Sequence, residues 1–309
     1  MSSKSTVLVV GSANMDYIVK VVVPPEPGET VLAKALVKHA GGKGANQAVA
    51  AARMGAKVRF VGCVGDDRDG ENLLRALRQE GVDTAAVEIA AHEQTGLALV
   101  SVFESGENSI TVVPGANYAL HANRVRRAIG SDANPPVVVL QAEIRPEVIH
   151  AAVDAAAQRD SRIVLNLAPY QAMPEVTLSF CDPLIVNESE AAAMVGFPVT
   201  DHDSAQRALK VLRNYVRSAV ITMGAQGACW SDSSGEGLVG APTVDAVVDT
   251  TGAGDAFVGA LAAELSAGAT LEQATTVGVE AGSFAVGRFG AQSSYPMRDE
   301  LGSVTASLS

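Results

Sequence analysis

A short glycine-rich segment, Asp249-Thr-Thr-Gly-Ala-Gly-Asp255, has the composition of an anion-binding turn with an acid beside it. Gly252, Ala253 and Gly254 would let the backbone approach a ligand closely. The apolar residues that follow recur at helical spacing, so the turn should open onto the first amides of a helix, which attract phosphate. Asp255 could take a proton from a nucleophile there, or it could cap and complement the helix start. The rest of the chain favours the first interpretation.

Side chains suited to hydroxyl groups occur in two segments nearer the N-terminus. Lys43 and Asn46 lie in Gly41-Gly-Lys-Gly-Ala-Asn-Gln47 and could donate hydrogen bonds, although such a segment could also be an ordinary glycine-rich helix entry. Asn14 and Asp16 come just past the first strand, where open α/β sheets bind ligands. They could hold adjacent hydroxyls of a sugar, or they could bind the backbone of a turn.

Three further segments place polar groups directly after predicted strands. Glu143 could contact a hydroxyl or could be an exposed loop acid. Asn187 and Glu190 have the spacing of a capping box, which is compatible with orienting Mg²⁺ through water. Thr222-Met-Gly-Ala-Gln-Gly227 predicts a strand and a glycine turn suited to backbone contact with a nucleotide.

Other kinds of site are not supported by the sequence. The formal net charge of −11 argues against a sequence-independent nucleic-acid binder. No P-loop motif occurs, and the GxGxxG match at Gly235–Gly240 is followed by Pro242, so we expect a hairpin turn there. The histidines show neither metal-ligand spacing nor a nearby nucleophile.

The cysteines and the apolar runs of the chain indicate the compartment in which we expect the protein. Cys63, Cys181 and Cys229 are far apart and odd in number, so we expect reduced thiols. No apolar run approaches the ~18 residues of a membrane span, and the polar first residues show no signal peptide. We therefore expect a cytoplasmic protein with no membrane partner.

The order of the predicted elements must bring these segments together. Strands and helices alternate, with helices expected from about Asp69 to Gln79 and from Glu188 to Val195. This alternation predicts a single α/β domain over residues 1–309, with a mostly parallel central sheet flanked by helices. Two inserts, at approximately 17–40 and 96–113, each have extended, partly alternating segments that predict a small antiparallel element, and together they suggest a four-stranded lid, although their separation in the chain does not establish that they pair.

The chain resembles the ribokinase (PfkB-type) carbohydrate kinases, and within them the ribokinase branch, over nearly its whole length. The segments that carry the resemblance are Gly11–Asp16, Pro27–Thr30, Gly41–Gln47, Asn187–Glu190, Asp249–Asp255 and Arg288–Gln292. The Asp249–Asp255 segment is specific to the whole family, whereas the Gly41–Gln47 segment with Asn14 and Asp16 points to the narrower ribokinase branch.

The resemblance implies an ATP-dependent kinase that phosphorylates the O5 hydroxyl of D-ribose, with Asp255 as base and Gly252, Ala253 and Gly254 forming the anion hole. The residues that it implies for the sugar are Asn14, Met15, Asp16, Gly42, Lys43, Gly44, Ala45, Asn46, Glu143 and Asp255. Those that it implies for the nucleotide are Asn187, Thr222, Met223, Gly224, Ala225, Gln226, Gly227, Gly254 and Val279. Two alternatives stay open: a kinase of the same fold that acts on 2-deoxyribose, a nucleoside or another sugar, and a non-catalytic sugar- or nucleotide-binding regulator.

The resemblance also implies two metal ions and a dimer. Mg²⁺ would accompany ATP, held indirectly near Asn187 and Glu190, and K⁺ would activate the enzyme. The implied K⁺ ligands are Asp249, Thr251, Ala285, Arg288, Gly290 and Ser294. The lid implies a homodimer through lid-to-lid contact. Leu167, where the family more often has proline, and Val279, where a polar residue often meets the adenine, depart from the pattern and bear on nucleotide preference.

Overall fold

Strands and helices alternate along most of the chain in a computed structural model that describes residues 6–104, 108–131 and 137–302. The strands are β1 (Thr6–Val10), β2 (Asn14–Val21), β3 (Ala35–Gly41), β4 (Lys57–Val61), β5 (Cys63–Gly65), β6 (Glu88–Ala90), β7 (Gly96–Phe103), β8 (Asn108–Val113), β9 (Val137–Gln141), β10 (Ile163–Asn166), β11 (Cys181–Asn187), β12 (Ala219–Thr222), β13 (Ala228–Ser231) and β14 (Glu236–Val239). The helices are α1 (Lys43–Arg53), α2 (Arg68–Gln79), α3 (Ala122–Gly130), α4 (Pro146–Ala157), α5 (Glu175–Leu178), α6 (Glu188–Val195), α7 (His202–Leu212), α8 (Ala253–Ser266) and α9 (Leu271–Val286).

The central sheet has eight strands in the order β14-β13-β12-β11-β10-β9-β1-β4. All neighbours pair in parallel except β12 with β13 and β13 with β14, so the predicted mostly parallel sheet is confirmed. Alternate residues of β1 point into different cores: Val7 and Val9 into one, Leu8 and Val10 into the other. Both faces of the sheet are therefore buried, which explains why its strands are continuous apolar runs rather than alternating ones.

The strand order reverses between β1 and β9. The chain passes from β1 to its neighbour β4 on one side, and from β9 to β10 on the other. At such a switch point the loops after the two strands diverge and leave a crevice beyond their carboxyl ends. Here those loops carry Ser12 and Glu143, whose side chains are joined by a 2.6 Å hydrogen bond.

A second sheet of four strands, in the order β3-β2-β7-β8, is built from the two inserts predicted to form a lid, and is called the lid sheet below. Within each insert the strands pair antiparallel as expected, β2 with β3 and β7 with β8, and the pairing between the inserts, which the sequence left open, is parallel and joins β2 to β7. These two strands come from separate inserts, so no tight turn forces them to run in opposite directions. The predicted β7–β8 connection includes residues 105–107, which lie outside the described residues.

Some local predictions need correction. The hairpin turn expected at Gly235–Gly240 is shifted, because the Asp232 carboxylate holds the turn at residues 232–235 and residues 236–239 form the edge strand β14. The two-stranded β5–β6 sheet was not predicted, since its strands are only three residues long. Among the described residues, no helix is long and apolar enough to cross a membrane. All three cysteines are buried and unpaired, and burial raises the pKa of the Cys63 and Cys181 thiols to about 12.

Candidate active site

The glycine turn predicted to bind an anion leads directly into α8. Gly252 is the N-cap of this helix, with a φ of 78°, and no side chain caps it. A Cβ at Gly252 would lie 2.6 Å from Tyr295 Oη, so a side chain does not fit. The first intrahelical bond runs from Ala256 N to the Gly252 carbonyl (2.8 Å), which leaves the amides of residues 253–255 outside the helical ladder, although the Ala253 amide makes a long bond to the Thr250 carbonyl (3.3 Å). These amides lie at the positive end of the helix dipole, as an anion hole requires.

The Asp255 carboxylate is buried and is held by two side-chain amides of α1. Asn46 Nδ2 donates to Oδ2 and Gln47 Nε2 donates to Oδ1, both at 2.9 Å. The carboxylate makes no capping bond to its own helix, so the capping interpretation is not observed. Asp255 instead joins the start of α8 to the start of α1.

The two helices can meet this closely because α8 carries Gly259 at their contact. A Cβ at Gly259 would lie 2.4 Å from Ala50 Cβ and 2.6 Å from the Gln47 carbonyl oxygen. The absence of a side chain therefore brings the backbones of α1 and α8 together. It is this spacing that lets the short amide side chains of α1 reach Asp255.

A cluster of acids surrounds Lys43 at the start of α1. Burial, and then the charges of Glu143 and Asp255, raise the pKa of Asp16 to about 7. Burial acts to lower the pKa of Lys43, but the charges of Asp255, Glu143 and Glu190 outweigh it and raise that pKa. Glu143 Oε2 also accepts a 3.1 Å hydrogen bond from the Lys43 amide. The cluster combines a charged ammonium donor with carboxylate acceptors, which suits a ligand with several hydroxyl groups.

Asn14 and Asp16 lie at the start of β2, in the lid sheet, rather than in a loop after β1. Asn14 is buried, and its Oδ1 accepts a 2.7 Å hydrogen bond from Asn117 Nδ2. Asn117 in turn accepts from the Ala13 amide at 2.9 Å through Oδ1. Strand alternation turns Met15 away from this pair and into the core.

The other residues predicted in the Gly41–Gln47 segment pack beneath the acid cluster, in the core or against neighbouring backbone. Ala45 packs in the core. A Cβ at Gly42 would lie 2.6 Å from the Asn14 backbone nitrogen, and one at Gly44 would lie 2.6 Å from that of Ser12. These glycines therefore let the start of α1 pack against the chain between β1 and β2.

Asn187 and Glu190 form the predicted capping box at the start of α6. Asn187 Oδ1 accepts from the Glu190 amide and Glu190 Oε2 accepts from the Asn187 amide, both at 2.9 Å. Burial raises the pKa of Glu190, against the opposing effects of the Asn187 amide and Lys43. The charge of Lys43 thus links the start of α6 electrostatically to the acid cluster.

The predicted nucleotide segment divides into exposed and buried parts. Gly224, Ala225 and Gln226 form an exposed single turn after β12, with Gly224 at a φ of 51°. Met223 is buried in the core, as is Val279 of α9. A Cβ at Gly227 would lie 1.9 Å from the Val239 carbonyl oxygen, so this glycine allows the turn to pack against the end of β14.

The segment after α9 closes against the glycine turn. Asp249 Oδ1 accepts from the Thr251 amide (2.9 Å) and Oδ2 accepts from the Gly290 amide (3.0 Å). Burial acts to raise the pKa of Asp249, but these hydrogen bonds outweigh it and lower that pKa. Buried Ser294 donates to the Ala291 carbonyl (2.7 Å).

Most of the candidate cation ligands are oxygen atoms of this segment or the turn. The Ala285 carbonyl accepts a 3.0 Å bond from the Arg288 amide, and Gly290 has a φ of 85°. Arg53 of α1 fixes the end of the segment by donating from Nη1 to the Gln292 and Tyr295 carbonyls, at 2.7 and 2.9 Å. The donor set, with its ionised Asp249, has the chemistry that a hard cation requires.

Sequence reasoning missed several residues that shape this site. The sequence marks Gln47 only as the end of a motif and indicates no role for Asn117 or Ser12. Each is a neutral polar residue whose role depends on a partner more than thirty residues away, so no local pattern identifies it. Buried Tyr295, beside Gly252, was missed for the same reason.

The chain is similar to known sugar kinases in sequence. It matches the family model described as pfkB family carbohydrate kinase over residues 4–298. It is 37% identical over 298 residues to a ribokinase of Haemophilus influenzae, covering 96% of this chain and 97% of that protein. It is 36% identical over 299 residues to a deoxyribokinase of Salmonella typhi, with 96% and 97% covered.

Solved structures of such enzymes have the same fold. Arabidopsis thaliana ribokinase complexed with ribose and ATP matches with a TM-score of 0.88 at 30% identity, over 97% of this chain and 98% of that chain. Phosphofructokinase-2 from Escherichia coli in complex with potassium matches with a TM-score of 0.81 at 25% identity, over 99% of both chains.

Proposed function

The chain belongs to the pfkB family of carbohydrate kinases, and from that premise we propose that it transfers the γ-phosphoryl group of ATP to the 5-hydroxyl of D-ribose. It is a ribokinase-type sugar kinase, an ATP-binding transferase. The observation that carries the choice of chemistry is the Asp255 carboxylate, which is held by two amides beside the first amides of α8. Ribose as the substrate is supported by the ribokinases among the relatives and by the acid cluster around Lys43.

In the proposed reaction, Asp255 accepts the proton, the sugar oxygen O5 forms the new bond, and the glycine turn stabilises the charge. Asp255 takes the proton of O5 as this oxygen forms a bond to the γ-phosphorus, and the bond from that phosphorus to the β–γ bridging oxygen breaks. The products are D-ribose 5-phosphate and ADP. Charge that develops on the transferred group is stabilised by the amides of Ala253, Gly254 and Asp255.

The sugar and the nucleotide approach Asp255 from different sides in this proposal. Asn14, Asp16 and Lys43, with Asn46 and Glu143, bind the ribose hydroxyls. The exposed turn at Gly224–Gln226 and the start of α6 at Asn187 bind the nucleotide, with Thr222, Gly227 and Val279 shaping the pocket. The lid sheet carries Asn14 and Asp16 on β2, so its closure would exclude water from O5 and limit ATP hydrolysis.

Two metal ions complete the proposal. Asn187 and Glu190 would hold hydrated Mg²⁺, and their oxygen atoms suit that ion. Asp249, Thr251, Ala285, Arg288, Gly290 and Ser294 would hold K⁺. When bound, Mg²⁺ neutralises phosphate charge and K⁺ supports the glycine turn electrostatically. The residues themselves already join the turn to the segment after α9, through the two bonds of Asp249.

The proposal is tested by a coupled ADP-release assay on the full chain. The panel contains D-ribose, 2-deoxy-D-ribose, D-fructose, adenosine and uridine, each with saturating MgATP and with either K⁺ or Na⁺ as the salt. We expect the highest kcat/KM for D-ribose and a clear increase with K⁺. Mass spectrometry of the product, with 5-deoxyribose as a control that lacks the accepting hydroxyl, identifies the position of transfer.

Any other result of this substrate panel would indicate a different function. A preference for 2-deoxyribose would favour the deoxyribokinase reaction, which the Salmonella typhi relative makes the second candidate. Preference for a nucleoside or another sugar would assign a different kinase of the family. No ADP release with any substrate would identify a non-catalytic binding protein, and equal rates in K⁺ and Na⁺ would exclude selective activation by K⁺.

Asp16 should make sugar capture depend on pH. Because its pKa is about 7 in the free protein, Asp16 carries a proton below that pH and loses acceptor capacity for the sugar hydroxyls. With MgATP saturating, kcat/KM for ribose should rise about tenfold from pH 6 to pH 8, since this ratio reports groups of the free enzyme. Asp16→Asn should lower the ratio and remove this rise. A rise of the same size in the variant would show that another group titrates.

We also propose a homodimer through the lid. Several apolar side chains of the lid are exposed, including Leu36 and Ile110, each with 58% of its surface accessible. Such exposure over one small sheet is typical of a surface that a partner covers. Light scattering coupled to size exclusion should give twice the chain mass of 31.7 kDa. A single-chain mass at micromolar concentration would contradict the dimer. The cytoplasmic location and the single-domain organisation stay predictions.

A further inference from the structure

Gln47 contacts Asp255, the proposed base, and is fully buried, so that it cannot contact a ligand. It has no accessible surface, whereas the neighbouring Asn46 keeps 5% of its surface accessible. Gln47 Nε2 donates to Asp255 Oδ1 at 2.9 Å and to Asn166 Oδ1 at 3.0 Å. Its Oε1 accepts from Gln141 Nε2 at 2.7 Å. Both amide hydrogens and the carbonyl oxygen of Gln47 are therefore used.

These partners fix which way the amide of Gln47 points. A carboxylate can only accept, so the nitrogen of Gln47 must face Asp255. Gln141 then supplies the donor that the oxygen of Gln47 needs, and Gln141 is itself fully buried. The amide of Gln47 cannot rotate without breaking three hydrogen bonds.

We infer that Gln47 is a positioning residue that holds one oxygen of Asp255, so that the other oxygen faces the hydroxyl to be deprotonated. The inference rests on the proposed function, in which Asp255 is the base. Asn46 also binds Asp255, but it is shared, since its Oδ1 accepts from Gln292 Nε2 at 2.9 Å and it belongs to the sugar site. Gln47 meets no ligand, so its hold on Asp255 is the same in every step of the reaction.

Loss of this donor has a consequence that loss of packing does not have. A hydrogen bond to a carboxylate oxygen favours the ionised form, so a proton competes better for the oxygen once the donor is removed. The acid limb of kcat against pH should then move to higher pH. The charge of Asp255 in turn helps to raise the pKa of Asp16 on β2, Lys43 on α1 and Tyr295 after α9, which are the titratable groups that face it.

The test measures kcat against pH at saturating D-ribose and MgATP. Under these conditions kcat reports groups of the enzyme–substrate complex, so the titration of Asp16 in the free enzyme does not affect the profile. Gln47→Met keeps the length of the side chain and removes its donors. We expect kcat at neutral pH to fall about 10- to 100-fold through misplacement of the base, and the acid limb to move up by about one pH unit. The KM for ribose should change little.

Gln141→Met is the matched control. It removes a buried amide from the same chain of hydrogen bonds, but Gln141 does not contact Asp255. It should lower the melting temperature and leave the acid limb where it is in the wild type. Ribose binding by calorimetry confirms that each variant is folded. If Gln47→Met fails to fold, Gln47→Glu keeps the shape and places a second carboxyl against Asp255, which should move the limb upward further.

The outcomes separate this inference from the proposed function. A wild type without turnover on any sugar overturns the proposed function. Suppose that the wild type is active and that the acid limb of kcat against pH has the same midpoint in Gln47→Met as in the wild type. The role of Gln47 is then only structural, whatever the size of kcat, and the inference is wrong. Equal limb shifts in the Gln47 and Gln141 variants would also overturn it, because the effect would then belong to the whole amide chain.

Discussion

Replacing Asp255 by Asn should lower kcat by about 10²–10⁴-fold while the chain still folds and binds ribose. The substitution keeps the size of the side chain but removes the group that accepts the proton of O5. It also places an NH₂ group opposite one of the two donors, Asn46 or Gln47, that now bind the carboxylate. One donor therefore loses its acceptor, at a cost of about 1–3 kcal/mol in the free energy of unfolding.

Turnover is measured by ADP release, ribose binding by calorimetry and stability by thermal unfolding. Glu143→Gln provides the matched control, because it makes the same change from carboxylate to amide in a neighbouring acid that is not the proposed base. It should act mainly on the KM for ribose, whereas Asp255→Asn should act mainly on kcat. A near-normal kcat in the Asp255 variant would end the assignment of the base.

Gly252→Ala should lower kcat at least about 100-fold, the effect typical of losing one donor from an anion hole. The new methyl group would lie 2.6 Å from Tyr295 Oη, and Tyr295 cannot retreat freely because Arg53 binds its carbonyl at 2.9 Å. The turn must therefore move and carry the amides of residues 253–255 with it. The left-handed φ of 78° adds about 1–2 kcal/mol to the cost in stability.

A matched control for this variant lies just beyond the other end of α8. Gly268 has a φ of 94°, but no atom lies within 4 Å of its added Cβ, so Gly268→Ala carries the backbone cost without the contact. Thermal unfolding should show a larger loss for Gly252→Ala than for Gly268→Ala, and only the former should affect kcat. Equal losses of stability, with turnover retained, would show that the turn tolerates a side chain.

The parts of the fold that the sequence predicted are those with a local signal. The helix Glu188–Val195 was predicted to the residue, because Asn187 and Glu190 form a capping box and Gly196 ends the helix at a φ of 80°. The lid strands were located, yet the pairing of β2 with β7 was left open. Alternation of side chains indicates a strand but carries no information about its direction relative to a partner some eighty residues away.

The candidate site was predicted where glycine or charge marks the chain, and was missed where neutral amides hold it. Asp255, Lys43 and Glu143 were identified because they are charged residues at element ends. Gln47 lies inside α1 and points toward α8, a contact that exists only because two helices distant in sequence pack together. Such a contact follows from tertiary structure, and no periodicity within α1 predicts it.

The position of Gly259 has a consequence for how the site tolerates change elsewhere. Where bulky side chains separate two helices, substitution in the core can widen or narrow the gap as the side chains repack. Between α1 and α8 the gap is set instead by the smallest groups available: the bare backbone of Gly259 faces the Ala50 methyl group and the backbone at Gln47 and Ala51. The distance from Asp255 to its amide donors therefore depends little on how side chains repack elsewhere in the core, whereas a larger residue at Gly259 or at Ala50 would increase it directly.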